Sequence, residues 1–89
     1  MQTLYGYQVK PGSDDTLFFA LTLEECQEAA LKQRREMREE IGCRDIDAMA
    51  VYECLFRIDL ISLLELLNAP EGAYEKVLLS KTLICVVAD

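Results

Sequence analysis

The side chains of this chain that could do chemistry are carboxylates and thiols. Acids stand in pairs at Asp14-Asp15, Glu24-Glu25, Glu39-Glu40 and Asp45 with Asp47, and paired carboxylates can move protons or hold magnesium. None of these pairs comes with the rest of a site. The run Asp45-Ile46-Asp47 lacks the further spaced oxygens and the glycine of an EF-hand loop, and the others fall in a turn or on a helix face where a solvated charge is sufficient explanation. Histidine is absent from all 89 positions, which removes the commonest general base and metal ligand. Ser13, Ser62 and Ser80 therefore have no imidazole to activate them, and Ser80-Lys81 has no second motif element. The four cysteines, Cys26, Cys43, Cys54 and Cys85, form no C-x-x-C pair and have no histidine to complete a zinc site. Three of them fall in apolar stripes, where a thiol behaves as a small hydrophobe. Cys43, between Gly42 and Arg44, is the candidate for an exposed, reactive thiol. Gly6, Gly12, Gly42 and Gly72 are too scattered to make a phosphate loop. The expectation is a non-enzyme without catalytic residues, metal or cofactor.

Composition narrows the class further. Sixteen acidic residues against nine basic ones give a net charge of −7, which disfavours direct binding to nucleic acid, because that binding is driven by cations displacing counterions. At this length residues 1–89 read as a single domain with one modest core. No run approaches the ~20 apolar residues of a membrane span. The first ten residues carry neither a basic nor an apolar leader segment, so the reading is a cytoplasmic protein with reduced thiols.

Local signals then place the elements. Leu4–Val9 and Thr16–Leu21 alternate around Lys10-Pro11-Gly12-Ser13-Asp14-Asp15, a concentration of turn formers, and predict a hairpin. Tyr5, Tyr7 and Val9 share one side of the first strand, and Leu17, Phe19 and Leu21 share one side of the second. Gly6 marks a close approach or a bulge. Thr22-Leu23-Glu24-Glu25 matches a capping box with Leu21 and Cys26 at the staple positions, opening a helix over 23–41. Its stripe is Leu23, Cys26, Ala30, Met37 and Ile41, with Gly42 as cap. Ala48–Ile58 predicts a strand whose core side is Ala50, Tyr52, Cys54, Phe56 and Ile58, partly covered on its other side too. Asp59 caps a short helix, Leu60–Leu67. The segment Glu71–Ser80 is ambiguous and leans to a turn of helix. Thr82–Ala88 is an unbroken apolar run, read as a strand in the middle of the sheet, buried on both faces. The sum is an α+β two-layer sandwich: a hairpin followed by α-β-α-β, a mixed sheet of about four strands, and two helices on one face.

Three surfaces follow as candidates for binding. If Asp14, Asp15, Glu24, Glu25 and Glu28 gather at one end, they could imitate nucleic-acid phosphates and block a basic site. In the basic cluster Lys32-Gln33-Arg34-Arg35-Glu36-Met37-Arg38, Arg34 and Arg38, at the edge of the long helix's stripe, could grip an acidic partner or one phosphate; the rest reads as a salt-bridged surface helix. The short helix carries six apolar residues in eight positions, so Leu63, Leu64 and Leu67 need a cover. Either residues 71–79 fold over them, or they meet a partner or a second copy. The leading expectation is a small acidic binding protein that occludes a macromolecular protein partner, for example a phage-type inhibitor of a nucleic-acid-processing complex. The alternative is an assembly protein working as a homodimer through Leu60–Leu67.

Overall fold

The computed structural model describes residues 1–41, 46–68 and 77–88. Along the chain run β1 (Gln2–Gln8), β2 (Leu17–Ala20), α1 (Leu23–Ile41), β3 (Met49–Phe56), α2 (Leu60–Leu67) and β4 (Leu78–Val87). The four strands form one open sheet in the order β2-β1-β3-β4. The class is α+β, with the N-terminal hairpin and the helix positions that the local signals predict.

The sheet is antiparallel throughout instead of mixed. The reason lies in α1. Nineteen residues make a helix about 28 Å long, enough to carry the chain from the end of β2 back to the other end of the sheet. β2 and β3 therefore point the same way, but β1 lies between them and is antiparallel to both. The connection after β3 returns to the end it left, where the Arg57 N–H donates to the Val77 carbonyl at 2.9 Å, so β4 is antiparallel to β3.

The hairpin turn is made by Lys10–Ser13. The Ser13 N–H donates to the Lys10 carbonyl at 3.0 Å, with Pro11 second and Gly12 third. Gly12 has φ +82°, the arrangement of a type II turn, in which only the third position needs a left-handed backbone. Tyr5 pairs with Ala20 and Tyr7 with Phe18. Leu17 and Phe19 consequently lie on the opposite face from the two tyrosines, and the two expected core sides of the hairpin serve different faces of the sheet. Gly6 pairs with Phe19, whose ring atoms stand 3.0 Å from where a Cβ would be. The close approach at Gly6 is thus made by a ring, which packs edge-on against Phe56 at 5.4 Å between centroids.

Each face has its own small core. Under α1, Tyr7, Met49, Val51 and Val87 bury with Cys26 and Ala30 of the helix. On the opposite face Cys54, Phe56 and Val77 bury with Leu4 and Phe19 around them. β3 is thus covered on both sides, but its most completely buried pair, Met49 and Val51, is on the α1 side, which the sequence reading takes as secondary. At the start of α1 the Glu25 N–H donates to Thr22 Oγ1 at 3.1 Å, as a cap requires. The staple does not close, since Leu21 is exposed while Cys26 is buried.

Two further expectations are corrected. β4 is an edge strand, and most of its residues are exposed. A continuous apolar run signals burial on both faces only where both faces are covered, and here only Cys85 and Val87 of β4 join the core under α1. Nor do the helices share a face: α1 packs on all four strands, whereas α2 borders a cavity floored by Leu4, Phe19 and Phe56 on the other side. Strand begins at Leu78, within the segment read as leaning to helix. Residues 71–76, Gly42, Cys43 and Asp45, on which other expectations fall, lie outside the described residues.

Candidate interaction surface

α2 is inside out. An eight-residue helix on a small domain should bury its apolar side and expose its polar one. Instead Ser62 is 1% exposed while Leu60 is 81% and Leu67 72% exposed, with Ile61, Leu63, Leu64 and Leu66 also open to solvent. The local chemistry explains the orientation. Asp59 sits in extended conformation as N-cap, and its Oδ1 accepts from the Ser62 N–H at 2.7 Å. The hydrogen bonds it receives from the Ser62 backbone and side chain hold its carboxyl below the usual range. Arg57, the last residue before the turn, donates from Nε to Ser62 Oγ at 2.6 Å and pairs with Asp59 at 3.5 Å and Glu65 at 3.8 Å. These contacts tie the polar row of α2 down onto the end of β3, and the leucines are turned outward as a consequence. Leu63 and Leu66 wall the apolar cavity of about 260 Å3 between α2 and the sheet. Of the residues expected to bind a partner, Leu63, Leu64 and Leu67 therefore form one exposed surface.

The expected acidic surface does not assemble. Asp14 accepts from Gln8 Nε2 at 2.7 Å, the Tyr52 hydroxyl at 2.8 Å and Lys81 Nζ at 2.9 Å. Those partners project from the face opposite α1, so the sheet lies between Asp14 and the acids of α1. Glu25 and Glu28 border a shallow depression along α1 together with Lys32, Arg35 and Arg38, so cations accompany these acids. Glu24 and Asp15 are exposed.

Asp14 works as a clamp within the fold. Gln8, buried, turns its Oε1 to the N–H groups of Gly12 at 3.0 Å and Ala50 at 2.9 Å, and the Lys81 ammonium lies 4.7 Å from the Tyr52 ring centroid. The network joins the hairpin turn to β3 and β4. Hydrogen bonds from Lys81, Gln8 and Tyr52 lower the Asp14 pKa to about 2. A carboxyl with a depressed folded pKa contributes stability above its unfolded value and loses it as pH falls through the folded one. The window runs from 3.8 down to about 2. With the side chain 44% exposed, solvent screening leaves about 1 kcal/mol. Urea titrations at stepped pH should show the parent losing about 1 kcal/mol more than Asp14→Asn between pH 5 and pH 2; parallel losses would remove the clamp.

Arg34 is not the partner-facing cation that the sequence suggests. It is 2% exposed, and its Nη1 and Nη2 donate to the carbonyls of Asp47 at 2.6 Å and Ile46 at 2.8 Å. The signal was present: Arg34 continues the Cys26, Ala30 row at four-residue spacing, and that row is the buried one. Gln33 was also missed, although it receives the Tyr7 hydroxyl at 2.6 Å and donates to the Val9 carbonyl at 2.7 Å.

Cys26 and Cys54 are buried and poorly placed for nucleophilic work, while Cys85 is half-buried. Burial, with Cys85 and Cys54 nearby, raises Cys26 to about 11, and burial likewise raises Cys54. Both are then protonated at neutral pH, and the thiol is the unreactive form. Among the described residues no helix is long and apolar enough to cross a membrane. Compared with known proteins, the chain matches no family model, no curated sequence and no solved structure.

Proposed function

We propose that this chain is a non-catalytic protein-binding domain that occludes or bridges a protein partner, with α2 as its contact element. One observation carries the reading: a helix whose serine is buried and whose leucines face solvent. Apolar surface grouped in this way marks a site of association, and leucines at i, i+3, i+4 and i+7 are the anchors of a helix laid into a groove. The buried thiols of Cys26 and Cys54 and the internally satisfied Asp14 network agree with a role in binding. Phosphate mimicry has less support, since the acids it needs are divided by the sheet and accompanied by cations on α1.

The test is capture from host lysate with the intact chain and with Leu60→Ser/Leu64→Asp/Leu67→Ser, compared at low and moderate salt. The expected result is one protein enriched by the parent and lost with the variant, whose circular dichroism matches the parent. No enrichment, or equal enrichment by both, overturns the reading.

A further inference from the structure

We infer that the α2 surface also meets a second copy of this chain across a two-fold axis, its exposed leucines entering the cavity behind the other copy's α2. The inference rests on α2 being the contact element and names one occupant for it.

The cavity selects its guest by chemistry. Its walls, Leu4, Phe19, Phe56, Leu63, Leu66 and Val77, offer nothing to a polar group. The polar residues at its border are already engaged: Ser62 Oγ by Arg57, the Ser62 N–H by Asp59, and Arg57 by Asp59 and Glu65. An anionic head group would meet an arginine that two carboxylates already answer, on a chain of net charge −7. What fits is a neutral aliphatic group. A dry cavity of about 150 Å3 suffices for a benzene-sized guest, and this one, at about 260 Å3, admits a leucine side chain.

The same patch supplies that guest. Leu60 and Leu67 lie one turn before and one turn after Leu63, on the same side of the helix, and are its two most exposed residues. A surface that carries both knob and hole is self-complementary, which an isologous contact requires. Charge permits the approach, because Glu65 is the single ionised residue within α2 and is paired with Arg57. Within α2 itself, two copies therefore meet without an unpaired negative charge. A helix about 12 Å long cannot alone supply the ~800 Å2 per partner of a standard interface. The association is accordingly weak and is populated at high micromolar concentration.

Sedimentation equilibrium of the full chain across a concentration series reads this directly. The mass should rise from 10.1 kDa toward twice that value, and Leu60→Asp and Leu67→Asp should each raise the dimer Kd by about 100-fold or more. Leu83→Asp, at an exposed position of β4, should leave the Kd unchanged. Isotope-filtered NMR of a mixed-label sample should give intermolecular contacts from leucine methyls to the Phe19 or Phe56 ring. A strict monomer at high micromolar concentration, a dimer abolished by Leu83→Asp but not by the α2 variants, or a dimer without those ring contacts overturns the inference. A strict monomer that still captures a partner through α2 leaves the proposed function standing, so the two fail separately.

Discussion

Arg34→Ala is expected to cost about 3 kcal/mol, a large part of the total for a domain of this size. The guanidinium is the end of the buried Cys26, Ala30, Arg34 row of α1, and it holds the two carbonyls immediately before β3, those of Ile46 and Asp47. Truncation orphans both acceptors, each worth about 1–3 kcal/mol when buried and somewhat less where water can reach. It also removes the packing of a long stem against the helix. The entry of β3 would then lose this polar tie to α1. Arg34→Lys retains the stem and the charge but lacks the planar fork that spans two neighbouring carbonyls, so its urea midpoint should fall between parent and alanine. An alanine variant within about 0.5 kcal/mol of the parent, the range of an ordinary surface change, would mean that the clip carries no stability.

Met49→Ala should be comparably severe for a different reason. Met49 is fully buried at the start of β3, in the cluster of Tyr7, Cys26, Ala30, Val51 and Val87 beneath α1. Its loss combines transfer free energy with a void that a sheet pinned on both sides by neighbours cannot collapse into, for about 2–5 kcal/mol. Calorimetry should register a fall in Tm of roughly 8–40 °C, at about 4–8 °C per kcal/mol for a domain of this size. Leu64→Ala is the matched control. It removes a side chain of similar bulk from an exposed position on α2 and should change stability by about 0.5 kcal/mol or less. A Leu64→Ala loss equal to that of Met49→Ala would show that the α2 leucines belong to the core of the monomer, which would also undercut the proposed contact role.

The elements whose edges are set by neighbours in sequence were legible. Thr22 and Asp59 each place a side-chain oxygen where the first amides of a helix need one, and both helices start where those residues predict. The hairpin follows in the same way from Pro11 and Gly12. Long-range relations were much less legible. Thr82–Ala88 is apolar enough for a central strand, and it became an edge because nothing in a run of hydrophobic residues states how many sheet faces will be covered. The Asp14 clamp unites residues from four parts of the chain, Gln8, Asp14, Tyr52 and Lys81, and no local pattern joins them. Asp14 in the sequence is one acid of a turn pair.

The surplus of leucine on the short helix was also plain from composition, since six apolar residues in eight positions exceed any one-sided stripe. That the surplus faces solvent was decided by tertiary structure alone. Arg57, Asp59 and Ser62 reach one another only once the end of β3 and the first turn of α2 have been set side by side, and their hydrogen bonds then fix which side of the helix turns inward. By itself the sequence determined where elements begin and end and that one helix is too apolar for its place, because caps, turns and periodicity act within a few residues. Which face each element buries, which strand became an edge and where the acids finally lie were decided by the packed sheet, because burial depends on what covers a surface, and the covering residues are distant in the chain.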